Sequence, residues 1–175
     1  MKMIRSSLLS LALVGAGLVA APAFAGSVTG SLDATATVAN SCSISSVTAI
    51  AFGTYDPAVA NASSPLDAAG AINVLCTKGG AFQVQLDQGA NADAASTCLA
   101  PVRQLKDANG DLIKYDIYSD TGRATAWACD VSNQVAQTSA SASAPTNLAT
   151  YGRIPPAQDV PAGSYSDTVT ITVSF

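Results

Sequence analysis

The closing stretch of the chain, Gly163–Phe175 (GSYSDTVTITVSF), reads by twos. Tyr165, Val169, Ile171, Val173 and Phe175 fall on one face, and Ser166, Thr168, Thr170, Thr172 and Ser174 on the other. A period of two predicts a half-buried β-strand with one side toward a core. Ser27–Val38 (SVTGSLDATATV) repeats the pattern. Val28, Gly30, Leu32, Ala34, Ala36 and Val38 alternate with Ser27, Thr29, Ser31, Asp33, Thr35 and Thr37. The apolar side is slim here, with Gly and Ala among Val and Leu, which suits close approach to another backbone. A core strand usually has a neighbour on each side, and nothing after Phe175 supplies one to the closing strand.

Between these two segments lie shorter β-like runs. Val47–Phe52 precedes a turn at Gly53–Pro57, and Ala58–Gly70 reads as a loop of small residues. Ala71–Thr77 and Phe82–Leu86 flank the turn Lys78-Gly79-Gly80. Gln88–Thr97 is a loop. Val102–Lys106 and Leu112–Tyr118 flank Asp107-Ala108-Asn109-Gly110-Asp111, and Asn-Gly is the strongest short hairpin signal in the chain. Thr138–Ala144 is Ser/Ala-rich and reads as edge or loop. Leu148–Ile154 is a further strand, ended by Pro155-Pro156. No stretch shows convincing helical periodicity. Short strands at this spacing predict an all-β sandwich.

Composition sharpens the picture. All twelve acidic residues are Asp, and the chain has no Glu and no His. Met1–Arg5 carries two basic residues, Leu8–Ala23 is apolar, and Ala23-Phe24-Ala25 has small residues at both positions that a signal peptidase reads. This predicts a secretory signal peptide over residues 1–25, too short for the roughly 20 apolar residues of a membrane span. Its removal leaves six basic against twelve acidic residues, a net charge of −6. A basic groove for nucleic acid is excluded. Cys42, Cys76, Cys98 and Cys129, an even number in an exported chain, read as two disulfides, and spacing alone leaves three pairings open.

The residues offer little chemistry. Without His and Glu the usual general bases are absent, so no catalytic residue is assigned. A zinc site finds no Cys-x-x-Cys pair and no His. Asp107, Asn109 and Asp111 match the first ligand spacings of a calcium loop, but Leu112 stands where that loop needs Gly and Tyr118 where it needs Glu. No metal or cofactor is expected. Trp127, the only Trp, could stack on a sugar, but beside Cys129 it reads as packing against a disulfide. Arg103, Arg123 and Arg153 read as strand-end ion pairs with Asp residues.

In order along the chain, VTGSLDATATVANSC, FGTYDP (Phe52–Pro57), GAINVLCTKG (Gly70–Gly79), RQL (Arg103–Leu105), LIKYDIYSD (Leu112–Asp120), YGRIP (Tyr151–Pro155) and the closing GSYSDTVTITVSF resemble the spore coat U domain family, to which the Csu-type pilins of archaic chaperone–usher pili belong. The resemblance spans essentially all of residues 26–175. It implies an incomplete immunoglobulin-like β-sandwich that lacks its last strand and is completed by donor-strand addition. Residues 26–38 would be the donor segment, presenting Val28, Gly30, Leu32, Ala34, Ala36 and Val38. Residues 39–175 would be the domain, whose groove is lined by Tyr165, Val169, Ile171, Val173 and Phe175. The resemblance also implies the pairing Cys42–Cys76, and with it Cys98–Cys129.

The implied partners are a periplasmic chaperone that lends a strand, an outer-membrane usher, and other copies of the chain, which join by β-strand addition into a filament. The implied route runs through the periplasm to the cell surface, with attachment and biofilm formation as the outcome and with no membrane insertion. The length after the signal peptide implies a rod subunit rather than a tip adhesin with an extra domain. Pattern alone leaves Ser27–Val38 equally readable as the first strand of a closed sandwich. A spore- or cell-surface coat component and a secreted immunoglobulin-like binding module stand as alternatives; the missing His and Glu argue against a hydrolase.

Overall fold

A computed structural model describes residues 25–175, so the signal-peptide expectation for residues 1–25 lies almost wholly outside the described residues. The chain divides into two units after Ala36, and the second, Thr37–Phe175, holds every strand found among the described residues. Among the described residues there are eight strands: β1 (Cys42–Thr48), β2 (Leu66–Cys76), β3 (Ala81–Leu86), β4 (Arg103–Lys106), β5 (Leu112–Tyr118), β6 (Val135–Thr138), β7 (Thr146–Ile154) and β8 (Ile171–Ser174). They form one sheet in the order β1-β2-β7-β5-β4 and a second in the order β6-β3-β8. Every strand pair is antiparallel. No helix occurs among the described residues.

Period-two burial builds the core between the sheets. Ile72 and Val74 of β2, Ile113, Tyr115 and Ile117 of β5, and Leu148 and Ile154 of β7 face Phe82, Val84 and Leu86 of β3. The intervening residues of β2, β5 and β7 point to solvent. Trp127 completes the core: it is fully buried, and its indole Nε1–H donates to the Val84 carbonyl at 2.9 Å, which satisfies its one polar group. The Asn109-Gly110 turn forms as its sequence predicts. Gly110 takes φ 99°, and Asp107 Oδ1 accepts from the amides of Asn109, Gly110 and Asp111 at 2.8–2.9 Å. Asp107 therefore caps a turn, and no cluster able to hold a metal is found among the described residues.

Several elements differ from their sequence patterns. The Val47–Phe52 run is not a strand. β1 starts earlier, at Cys42, and ends at Thr48, where the chain leaves β2 and crosses the inner face of the sheet. The crossing needs two glycines. A Cβ on Gly70 would lie 2.5 Å from the Thr48 carbonyl oxygen, and one on Gly152 would lie 2.6 Å from Ile50 Cγ2 and 2.7 Å from the Phe52 ring. The Ala58–Gly70 loop is shorter than expected. β2 begins at Leu66, because Leu66–Gly70 pairs with Thr150–Ile154 through backbone bonds that small side chains do not oppose. Ser27–Val38 forms no strand despite its alternation. Of Gly163–Phe175 only Ile171–Ser174 is a regular strand.

Arg103 is not in a strand-end ion pair. It is 1% exposed and donates to main-chain carbonyls: Nε to Asp87 at 2.9 Å, and Nη2 to Asp87 at 2.6 Å, Trp127 at 2.9 Å and Leu86 at 3.3 Å. Burial lowers its pKa, while Tyr115, Asp87, Asp116 and Asp167 favour its charge. Arg123 and Arg153 do pair, both with Asp67, at 3.3 and 2.7 Å. Arg123 reaches that position from a left-handed backbone, φ 55°.

Candidate functional site

Two disulfides join the four cysteines. Cys42 and Cys76 are directly paired residues of β1 and β2, with Cα atoms 4.1 Å apart. Cys98 and Cys129, with Cα atoms 4.7 Å apart, tie the loop before β4 to the loop that follows Trp127. There is no free thiol. With all four sulfurs oxidised, no cysteine nucleophile or thiolate ligand remains.

The feature that stands out is an open side of the sandwich. In the smaller sheet β8 pairs with β3 on one side and has no strand on the other, among the described residues. In the larger sheet β1 is likewise an edge. Between these edges the core is uncovered. Ile44 and Val47, which pair with core-facing Val74 and Ile72, are 41% and 53% exposed, and Phe175 is 61% exposed. A cavity of about 290 Å³ opens here, with Ile72, Leu86, Ile117 and Thr150 on its floor, Val47–Ile50 on one bank and Thr168, Val169 and Ile171 on the other. A second cavity, about 870 Å³, continues past Phe52 and Asp167 between Ile50–Pro57 and Val160–Asp167. Together they make one groove along the side of the sandwich.

The C-terminal bank is held extended by bonds on its other side only. The Ser166 amide and carbonyl both pair with Lys106, at 3.0 and 2.9 Å. The Thr168 carbonyl accepts from Ala90 at 2.9 Å and the Thr170 carbonyl from Asp87 at 3.0 Å. The Thr170 amide donates to Asp87 Oδ1 at 2.8 Å. Burial pushes the Asp87 carboxyl up, but its bonds with Thr170 and Gly89 outweigh this and hold it below the usual range. Backbone groups alternate in direction along a strand. Those of Val169, Ile171 and Val173 therefore point to the free edge, while their side chains point to the core. This is a template for another strand.

Two polar side chains of the mainly apolar smaller cavity bear on what can dock there. Thr150 Oγ1 is buried on the floor with no hydrogen-bond partner. Asp167 lies at the junction of the two cavities. Its Oδ2 accepts from Tyr115 Oη at 2.7 Å, and its Oδ1 from the amide and the Nδ2 of Asn91, both at 3.1 Å. Burial and then Asp167 itself push the Tyr115 phenol well above its ordinary range, so it stays a donor. Asp167 belongs to the inward alternation, but a search for apolar positions passes over it. The signal that marks it is a lone charge on an otherwise apolar face.

The expected groove residues Tyr165, Val169, Ile171 and Val173 are half-buried against the core, and Phe175 lies beyond it toward solvent. Val47, Ile50 and Phe52 form the facing bank, which sequence reasoning missed as part of the site because Val47–Phe52 read as a strand of its own. Val28, Leu32 and Val38 are exposed at 100%, 96% and 81%.

The model of the Spore Coat Protein U domain matches residues 28–172. The chain belongs to the Spore Coat Protein U domain family. Protein U of Myxococcus xanthus is 35% identical over 167 residues, which cover 91% of this chain and 92% of that protein. Among solved structures, the fold matches a chaperone–tip adhesion subunit pre-assembly complex from the archaic chaperone–usher Csu pili of Acinetobacter baumannii, with a TM-score of 0.53 and 22% identity over 79% of this chain. The match takes in 40% of the length of that solved chain. The Spore Coat Protein U domain is thus a two-sheet, all-β domain with the fold seen in a chaperone–usher pilus assembly. No helix among the described residues is long and apolar enough to cross a membrane.

Proposed function

We propose that this chain is the structural subunit of a surface pilus, built by the chaperone–usher pathway through donor-strand exchange. The observation that carries the reading is the uncovered groove between β1 and β8, with the backbone of Val169, Ile171 and Val173 unpaired along its edge. A strand of a second chain completes such an edge by main-chain bonds, and pockets for its alternate side chains select it. Val28–Val38 fits that role. It is extended in pattern, slim, exposed and outside both sheets. Its six inward positions equal the six of Tyr165–Phe175.

Residues 1–25 act as the signal peptide, 26–38 as the donor segment and 39–175 as the domain. A periplasmic chaperone fills the groove first, and an outer-membrane usher exchanges its strand for the donor of the next copy. A donor that fills another copy's groove is a heterologous contact, which grows into a filament rather than closing. The filament supports attachment and biofilm formation. Similarity to Protein U along nearly its whole length favours a second reading, a surface coat layer made with the same joint.

Electron microscopy of cells with and without the chain tests the proposal. Filaments present only when the chain is made are the expected result. A continuous coat favours the second reading, and an unchanged surface overturns both.

A further inference from the structure

The strand-exchange reading explains the apolar lining of the smaller cavity and leaves Asp167, the charge at the junction of the two cavities, without a role. The inward positions of the C-terminal bank are Tyr165, Asp167, Val169, Ile171, Val173 and Phe175. Asp167 is the second of these and lines both cavities. It does not swing freely. Tyr115 and Asn91 hold both carboxylate oxygens, and Gly89 leaves the space the carboxylate occupies, because a Cβ there would collide with Asp167 Oδ2. Gly89 takes φ 83°, which also suits glycine.

A large apolar side chain laid over this carboxylate would strip its remaining water and supply no hydrogen bond. A small one leaves room for water. The inward face of the donor is uneven in the same sense: Val28, Leu32 and Val38 are large, and Gly30, Ala34 and Ala36 are small. Every strand pair in the domain is antiparallel. Antiparallel docking with all six positions matched sets Val38 against Tyr165, Ala36 against Asp167, Ala34 against Val169 and Leu32 against Ile171. The largest donor side chain then meets the 290 Å³ cavity. A slip of two residues in one direction brings Val38 onto the carboxylate. A slip in the other sets Ala34, also small, against the carboxylate and carries Val38 past Tyr165 and out of the matched stretch, so the carboxylate opposes the first slip and loss of the Val38 contact opposes the second.

We propose that Asp167 guards the register of the strand donated by a second copy of this chain, by accepting a small residue, Ala36, opposite its carboxylate and opposing the slip that would lay Val38 there. The inference rests on the strand-exchange reading and adds to it a residue that determines specificity.

The test is a double-mutant cycle in the full chain, produced in its own cells, with surface polymers read as ladders on gels of unboiled samples. Ala36→Leu should lower polymer yield about tenfold, within the range of coupled contacts, and Asp167→Ala should restore most of it. Ala34→Leu and Gly30→Leu should gain nothing from Asp167→Ala. Asp167→Asn repeats the cycle with partners for Tyr115 and Asn91 kept, should the alanine variant fail to fold by thermal melting. An Ala36→Leu defect of the same size with and without the carboxylate overturns the register. Rescue of Gly30→Leu instead overturns the antiparallel docking. Absence of polymers from the unaltered chain removes the strand-exchange reading and the register with it, whereas polymers without coupling remove the register alone.

Discussion

Leu32→Asp separates the donor segment from the fold. Leu32 is 96% exposed and lies outside both sheets, so the substitution removes no buried contact from the described chain. Surface changes away from special features shift stability by about 0.5 kcal/mol at most. The joint behaves differently. Each donor residue that is ordered costs roughly 1–2 kcal/mol, and each backbone bond contributes about 0.5–1.5 kcal/mol. Backbone bonds to Val169, Ile171 and Val173 therefore do not order the donor alone, and its apolar side chains decide.

Full burial of Leu32 contributes roughly 1.5–3 kcal/mol. An Asp in the same apolar place is buried neutral, and protonating it at pH 7 from an ordinary pKa near 3.9 costs about 4 kcal/mol. The swing is about 5–7 kcal/mol, or roughly four to five orders of magnitude in the exchange equilibrium. The assay is co-production with the cognate chaperone, purification of the pair, and gel ladders of surface polymers before and after boiling. The expected result is normal chaperone complex and no ladder, with Leu32→Ala intermediate. Normal ladders from Leu32→Asp would refute the donor assignment. Loss of the chaperone complex would place Leu32 in the subunit's own core.

Replacing both Cys98 and Cys129 by Ser opens a loop with sequence separation 31 and should lower stability by about 3–4 kcal/mol, read as a shift in the urea unfolding midpoint. Arg103→Leu leaves the carbonyls of Leu86, Asp87 and Trp127 without their donor; a loss of about 2–4 kcal/mol is expected in the same measurement, and Arg103→Lys should recover only part of it. Stability should stay nearly flat from about pH 5.5 to 8, because the chain has no His, and fall below about pH 4. The sign follows from Asp67, lowered by its hydrogen bond to Arg153, and from Asp120 and Asp130, lowered by hydrogen bonds from Thr125 and Ser132. Their contribution is present above the unfolded value and is lost as pH falls through the lower folded values. Asp116, raised by burial, acts in the opposite sense and softens the acid limb. A steep change between pH 6 and 8 would contradict this.

The strands legible in the sequence were those whose pattern was decided locally. Leu112–Tyr118 alternates, and its turn carries Asn109-Gly110, so both boundaries of β5 fall where the pattern puts them. β3 is nearly as clear, beginning at Ala81 beside the predicted Phe82. Patterns failed where a distant contact decides. Leu66–Gly70 looks like loop because Ala and Gly dominate, yet it pairs along β7 as far as Ile154. Ile50 and Phe52 look like a strand but cross the sheet, and the permission comes from Gly70 and Gly152, which lie 20 and 102 residues beyond Ile50. Arg103 looks like a surface ion pair because nothing nearby in sequence reveals that three carbonyls converge on it. Both cysteine pairs match what the family resemblance implied, while spacing alone had left three options.

The same limit bears on the groove, and there it is informative. Ser27–Val38 and Gly163–Phe175 carry the same alternation, yet only Ile171–Ser174 becomes a strand. Alternation states that a segment can be half-buried; it does not supply the surface that buries it. Gly163–Phe175 finds that surface in β3 and in the loop at Asp87–Asn91, which hold it on one side. Ser27–Val38 finds none among the strands of this chain. Under the strand-exchange proposal, a segment patterned for burial and left exposed covers the open core of another copy. Open apolar edges otherwise aggregate, and natural sheets blunt them with inward charges. Asp167 is such a charge at the junction of the groove, so the residue assigned to register also disfavours unselected strands. Specificity of assembly and protection of the unassembled subunit would then rest on one carboxylate, and Asp167→Ala should raise nonspecific aggregation of the purified chain while it relaxes the choice of donor. Light scattering at rising protein concentration measures the first. An aggregation threshold unchanged from the unaltered chain would separate the two roles.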